Sequence, residues 1–182
     1  MSNFLFLANG FEEIEALATV DVLRRAGMEV TTVSINHERL VAGAHGIEVH
    51  ADVTFKEADF AGADWLILPG GMPGATHLHN HHELDALLKV HAAKGRIAAI
   101  CASPAVVLAP TGLLNGKNAT CYPGFEDALV AGGANPVSRR VVVDGNIVTG
   151  NGPASAIPFA LEIVRLTVGD AAADQVAAGM LV

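Results

Sequence analysis

Residues Ala98-Ala99-Ile100-Cys101-Ala102-Ser103-Pro104 constrain the fold more than any other stretch of the chain. A short apolar strand, Ile97–Ile100, runs straight into a cysteine, and a helix-compatible segment with Pro104 near its start follows at once. Small residues lie two positions before the cysteine (Ala99) and two after it (Ser103). A nucleophile on a sharp strand-to-helix turn needs this pattern, because larger neighbours collide where the backbone doubles back. The turn aims sulfur out of the carboxyl edge of a sheet, towards free N–H groups at a helix start that favour thiolate over thiol. The competing reading is a packed core cysteine, the common fate of a free thiol.

Alternation of strand and helix signals surrounds this turn. Asn3–Ala8 is short and apolar; Glu12–Ala26 carries Ile14, Leu17, Val20 and Leu23 at helical spacing and stops at Gly27. Glu29–Ile35 is β-branched, residues 38–52 with Gly43 and Gly46 read as a small hairpin, and Trp65–Leu68 is a buried strand. Glu83–Ala93 reads as a helix ending at Gly95. Val141–Val143 and Ile147–Thr149 flank the hairpin turn Asp144-Gly145-Asn146. Ile157, Ala160, Leu161, Val164 and Val168 mark a late helix, and Ala171–Leu181 a last one. The pattern predicts an α/β fold with a mostly parallel sheet covered on both faces, in a single domain over residues 1–182. Ligands in such sheets bind beyond the carboxyl ends of the strands. That rule gathers the loops after Ala8, Leu68 and Ile100 in one place.

The 182 residues are 51% hydrophobic and 16% charged, which predicts a large core and excludes disorder. A net charge of −8 argues against nucleic acid or an anionic membrane as partner. No window holds the roughly 18 apolar residues of a membrane span. Phe4–Ala8 lacks a basic flank and reads as a first strand rather than a signal peptide, so a cytoplasmic protein with reduced Cys101 and Cys121 is expected.

The first edge loop delivers Glu12, Glu13 and Glu15 into a helix start. Carboxylates there complement the helix dipole, which accounts for any of the three. Glu15 has a second reading, as a buried carboxyl of raised pKa that hydrogen-bonds the cysteine. The second loop, Pro69-Gly70-Gly71-Met72-Pro73-Gly74, is either a tight turn or a source of bare backbone N–H. In the latter reading Gly71 and Ala102 N–H groups hold a developing oxyanion. The loop lacks a phosphate-binding lysine and a dinucleotide fingerprint, so no nucleotide cofactor is expected.

All eight histidines precede Cys101, unlike the usual chain order of a Cys–His hydrolase. His77, His79, His81 and His82 sit where a helix starts, and only His77 with His81 has i,i+4 spacing; a solvated helix end is favoured over a metal site. Cys121 reads as a packed thiol or as a second thiol near the first, and Tyr122 as packing or as a phenol that orients substrate.

Together, Phe6-Leu7-Ala8-Asn9-Gly10-Phe11-Glu12-Glu13-Ile14-Glu15, Val22-Leu23-Arg24-Arg25-Ala26-Gly27, Leu68-Pro69-Gly70-Gly71, the Cys101 segment, and Gly152-Pro153 with Phe159-Ala160-Leu161 resemble the ThiJ/PfpI superfamily, in the branch of the Parkinson-disease protein deglycase. The resemblance covers essentially the whole chain. It implies a flavodoxin-like three-layer sandwich, a homodimer, Cys101 as a reactive and oxidation-prone thiol, and Glu15 as its protonated partner. It also implies backbone donors at Gly71 and Ala102, and it places Arg25 near a dimer-associated anion site. The chain departs from the pattern at Cys121-Tyr122-Pro123, where many members have histidine, and at His45, where many have arginine. The expected function is a cysteine-dependent enzyme acting on small reactive carbonyls or glycated adducts, without metal or cofactor. Gly70, Ser103, Cys121, Tyr122, Arg25 and Pro153 are expected around the substrate. Two rivals stand beside it: a redox sensor or stress-response chaperone that uses Cys101 oxidation without turnover, and a cysteine peptidase.

Overall fold

The computed structural model describes residues 2–182. Seven strands form the main sheet: β1 (Ser2–Leu7), β2 (Val30–Ser34), β5 (Val53–Thr54), β6 (Ala63–Leu68), β7 (Arg96–Ile100), β10 (Val141–Asp144) and β11 (Ile147–Gly150). Two small ribbons supply β3 (Leu40–Ala42) with β4 (Glu48–His50), and β8 (Asn118–Ala119) with β9 (Asn135–Pro136). The sheet order is β10-β11-β7-β6-β1-β2-β5, parallel throughout except for the β10–β11 hairpin. The helices are α1 (Glu13–Arg25), α2 (Gly74–His79), α3 (His82–His91), α4 (Ala109–Thr111), α5 (Glu126–Ala131), α6 (Ala156–Thr167) and α7 (Asp170–Met180). The segment Pro104–Leu108, which leads into α4, is π-helical. This is the expected flavodoxin-like sandwich, with chain order reversing between β1 and β6, where a ligand crevice is expected.

Burial on both faces explains the near-continuous apolar strands Asn3–Leu7 and Trp65–Leu68. Phe6, Phe11, Trp65 and Phe159 are among the largest fully buried side chains. Trp65 Nε1–H donates to Thr167 Oγ1 at 2.8 Å, so the one polar atom of the ring is satisfied on α6. Helix α1 departs from its amphipathic pattern. Val20 and Leu23 are buried against the core, but Ile14 and Leu17 stay 58% and 41% exposed, and Ala16 and Thr19 fill the inner face instead. The histidine segment also departs from the single helix start expected of it. Helix α2 stops at His79, and His81 caps α3, accepting Leu84 N–H at 3.1 Å. His77 and His81 therefore sit on different elements and share no helical face. Among the described residues no helix is long and apolar enough to cross a membrane.

Candidate active site

Cys101 sits where β7 ends, with a left-handed φ of 65° that few non-glycine residues adopt. Two bonds hold this strained turn: its N–H donates to Gly150 O at 2.9 Å, and its carbonyl accepts Tyr122 N–H at 2.8 Å. The small residues flanking it are explained by their burial. Ser103 is fully enclosed and its hydroxyl donates to Pro69 O at 2.6 Å, tying the elbow to the glycine loop after β6.

Three glutamates at the start of α1 have three different jobs. Glu12 caps the helix, its Oε2 accepting Glu15 N–H at 2.7 Å. Glu13 points the other way and accepts His45 N–H at 2.7 Å from the β3–β4 hairpin. Glu15 turns inward, 1% exposed; its Oε2 accepts Gly70 N–H at 2.8 Å, and its carboxyl hydrogen-bonds the Cys101 thiol. Its other oxygen, Oε1, is sealed from solvent and accepts from no donor among the described residues.

The electrostatics correct one expectation. In place of an exposed thiolate, Cys101 is only 8% exposed. Its thiol is pushed up to about 12, first by burial and then by the Glu15 charge and hydrogen bond, against the pull of the Gly71 and Ala102 N–H groups on sulfur. Burial likewise pushes Glu15 up to about 7, opposed by its hydrogen bonds from Cys101 and Gly70 and aided by the Glu12 charge. The turn seats sulfur beneath Gly70 rather than over the rim, so solvent cannot stabilise two adjacent anions there. The dyad loses its first proton near neutrality and holds the second far above it.

Gly70 is the tightest joint. A Cβ there would lie 2.6 Å from Cys101 Cβ and 2.8 Å from Glu15 Oε2. Gly70→Ala is therefore expected to destabilise the protein by about 1–3 kcal/mol, as overpacking does. It should also separate the dyad, which the pH profile of thiol alkylation would report as a lost transition near neutrality.

The remaining candidates divide. Tyr122, 45% exposed, lies over Gly152, where a Cβ would come within 3.2 Å of its ring, and next to the turn that begins at Pro153. Cys121 adjoins Cys101 through the Tyr122 backbone bond, but it lines a separate cavity of about 200 Å³ with Thr120, Glu126 and Asn151. Burial, then the Glu126 charge, pushes that thiol up to about 11. Arg25 is not part of this cluster. It ends α1, pairs with Asp21 at 2.7 Å, and at 1.5 Å of rise per residue stands about 15 Å along the axis from Glu15. Sequence reasoning missed the Glu13–His45 contact, and its one signal was Gly43: a Cβ there would fall 2.3 Å from Glu13 Oε1.

A family model described as the DJ-1/PfpI family matches residues 1–166. Over 176 residues the chain is 40% identical to protein DJ-1 homolog A of Arabidopsis thaliana, covering 96% of this chain and 45% of that protein. The chain thus spans less than half the length of that plant relative. A deglycase of Pyrococcus horikoshii is 33% identical over 163 residues, covering 89% of this chain and 97% of its own. Among solved structures, oxidised DJ-1 of Toxoplasma gondii superposes with a TM-score of 0.94 at 41% identity, over 99% of this chain and 97% of that one.

Proposed function

The chain belongs to the DJ-1/PfpI family, and from that premise we propose that it is a cysteine-dependent enzyme acting on small reactive carbonyls. One observation carries the reading: a buried carboxyl, Glu15, poised at about 7 and hydrogen-bonded to a thiol on a strand-to-helix elbow. A general base is most effective when its pKa lies near the working pH.

With methylglyoxal as substrate, the Cys101 sulfur adds to the aldehyde carbon while Glu15 takes the thiol proton. The electron pair of the C=O bond moves to oxygen, which the Gly71 and Ala102 N–H groups stabilise as it leaves the plane. Glu15 returns the proton to that oxygen, giving a thiohemiacetal. It next carries the former aldehyde proton to the neighbouring carbon while the hydroxyl proton passes to the ketone oxygen, converting the hydroxyketone to a thioester of lactate. Water then cleaves the thioester, releasing lactate and restoring the thiol. Oxidation of one carbon matches reduction of the next, so the sequence needs no external oxidant or cofactor. Tyr122, exposed beside Gly152, is a hydrogen-bond donor for the substrate oxygen in this reading. Glycated adducts enter the same scheme once the C–N bond of their hemiaminal breaks: the amine leaves with a proton, the hydroxyl oxygen gives up its own proton to become the aldehyde C=O, and sulfur adds to that carbon as above. The relative named a deglycase supports this class.

A second copy of the chain fits the exposed Ile14, Leu17 and Ile47, 58%, 41% and 54% accessible, as the homodimer of this reading. Incubation with methylglyoxal should release lactate over many turnovers. Mass spectrometry after mild peroxide tests the rival: stoichiometric oxygen addition at Cys101 with no lactate release would favour a sensor and reject the enzyme.

A further inference from the structure

Two side-chain oxygens on the inner face of α1 are sealed from solvent and have no hydrogen-bond partner among the described residues: Oε1 of Glu15 and Oγ1 of Thr19. Their residues are four apart in one helix, a spacing that sets Cβ atoms about 5–6 Å from one another on one face. A threonine within a helix ordinarily closes its hydroxyl on the carbonyl four residues back. Thr167 of α6 does so, donating to Ile163 O at 2.7 Å. For Thr19 that carbonyl belongs to Glu15, and the bond is not made. The Thr19 hydroxyl is left over, one turn from a carboxyl oxygen that is left over too.

The two protonation states of Glu15 ask different things of Oε1. Gly70 N–H and the Cys101 thiol both donate to the carboxyl, and because Oε1 receives nothing, both bonds fall on Oε2. An oxygen that accepts twice is the carbonyl oxygen of the neutral acid. The acid proton then lies on Oε1 and needs an acceptor. Once that proton has gone, Oε1 carries part of the negative charge and needs a donor. Hydroxyl groups meet both demands by rotation, and so does water. A water that touches two such oxygens removes the desolvation penalty of each.

We propose that Thr19 is a positioning residue for the Cys101–Glu15 dyad, joined to Glu15 Oε1 through one enclosed water. The water accepts from Oε1 while the acid is neutral and donates to it once ionised, with Thr19 Oγ1 as its second partner in both states. This rests on the proton-carrying role given to Glu15 above, and adds the group that steadies it. Few charges compete there. Cys101 and, on its own helix, Glu12 act on Glu15 directly. Glu13 and His45 hold each other, and on α6, packed along α1, Glu162 pairs with Arg165. Strands β1 and β2 and the turn Pro153–Ser155, which also pack on α1, carry no charged side chain.

The test follows alkylation of Cys101 by iodoacetamide against pH in the full chain, with the label located by mass spectrometry. A hydrogen bond to a charged acceptor is roughly twice as strong as one between neutral groups, so losing the bridge harms the carboxylate more than the acid. Thr19→Val, close to threonine in shape, is expected to move the near-neutral rise in reactivity upward by about one pH unit. Thr19→Ser, which keeps the hydroxyl, should leave that rise where the native protein has it. An unmoved rise in Thr19→Val, or an equal shift in Thr19→Ser, overturns the bridge. A crystal structure of the native protein decides the matter even where Thr19→Val does not fold: a water within hydrogen-bond distance of both oxygens is expected, and a dry contact overturns it. A rise that Glu15→Gln removes but Thr19→Val leaves in place rejects this bridge alone. A native profile with no rise near neutrality rejects the proton-carrying role of Glu15, and the bridge with it.

Discussion

Cys101→Ser is expected to lower methylglyoxal turnover by about three orders of magnitude or more while leaving the protein folded. The hydroxyl occupies nearly the same volume at the same left-handed turn, and the two backbone bonds that hold the elbow do not involve the side chain. Chemistry, not packing, is what changes. A carboxyl poised at about 7 can accept a proton from a thiol as carbon–sulfur bonding develops, but an alkanol is far too weak an acid for that partner. The Gly71 and Ala102 N–H groups remain, so substrate still binds and a low background persists. Lactate release and a thermal melt measured on the same sample check the prediction. Unchanged turnover would reject Cys101 as the nucleophile.

Glu15→Gln should lower turnover by about two to four orders of magnitude, the usual share of a positioned proton carrier. Its pH signature is more specific. In the native protein, thiol reactivity rises as pH passes about 7, because Glu15 becomes the base that draws off the thiol proton. With glutamine that rise disappears, and reactivity climbs only at alkaline pH as the buried thiol ionises unaided. Stability should move the opposite way. The folded protein holds the Glu15 proton more tightly than the unfolded chain does, so stability falls as pH rises from the ordinary carboxyl range through about 7. The total is on the order of 3 kcal/mol, since each pKa unit is worth about 1.4 kcal/mol. Glu15→Gln carries no such penalty. It should therefore melt several degrees above wild type at pH 8, with the difference vanishing near pH 4. Equal melting temperatures at pH 8 would mean that the folded protein holds the Glu15 proton no more tightly than the unfolded chain does.

These expectations differ in how far they were legible beforehand. The Cys101 elbow was, because a strand, a cysteine, small flanking residues and a helix start are neighbours in sequence. Glu15 was singled out among three carboxylates, but all three share the same local reason, the helix dipole, to be there. What separates it from Glu12 and Glu13 is Gly70, 55 residues away, which receives its carboxylate. Arg25 illustrates the converse: it adjoins the motif in sequence, yet the helix axis carries it to the far end. The exposed Ile14 and Leu17 also escaped the pattern, since periodicity marks a face as apolar without saying whether this chain or another covers it.

Apolar periodicity and glycine-rich turns were enough to set the order of strands and helices, the parallel sheet and the edge where chemistry belongs. Those signals are local, and backbone geometry turns them into elements almost unaided. Tertiary packing alone decided where the protons reside. Seating Cys101 beneath Gly70 and against Glu15 strips water from both groups, so the thiol stays protonated until the carboxylate beside it takes the proton. Desolvation depends on every atom that surrounds a charge, and those atoms come from strands and loops far apart in the chain.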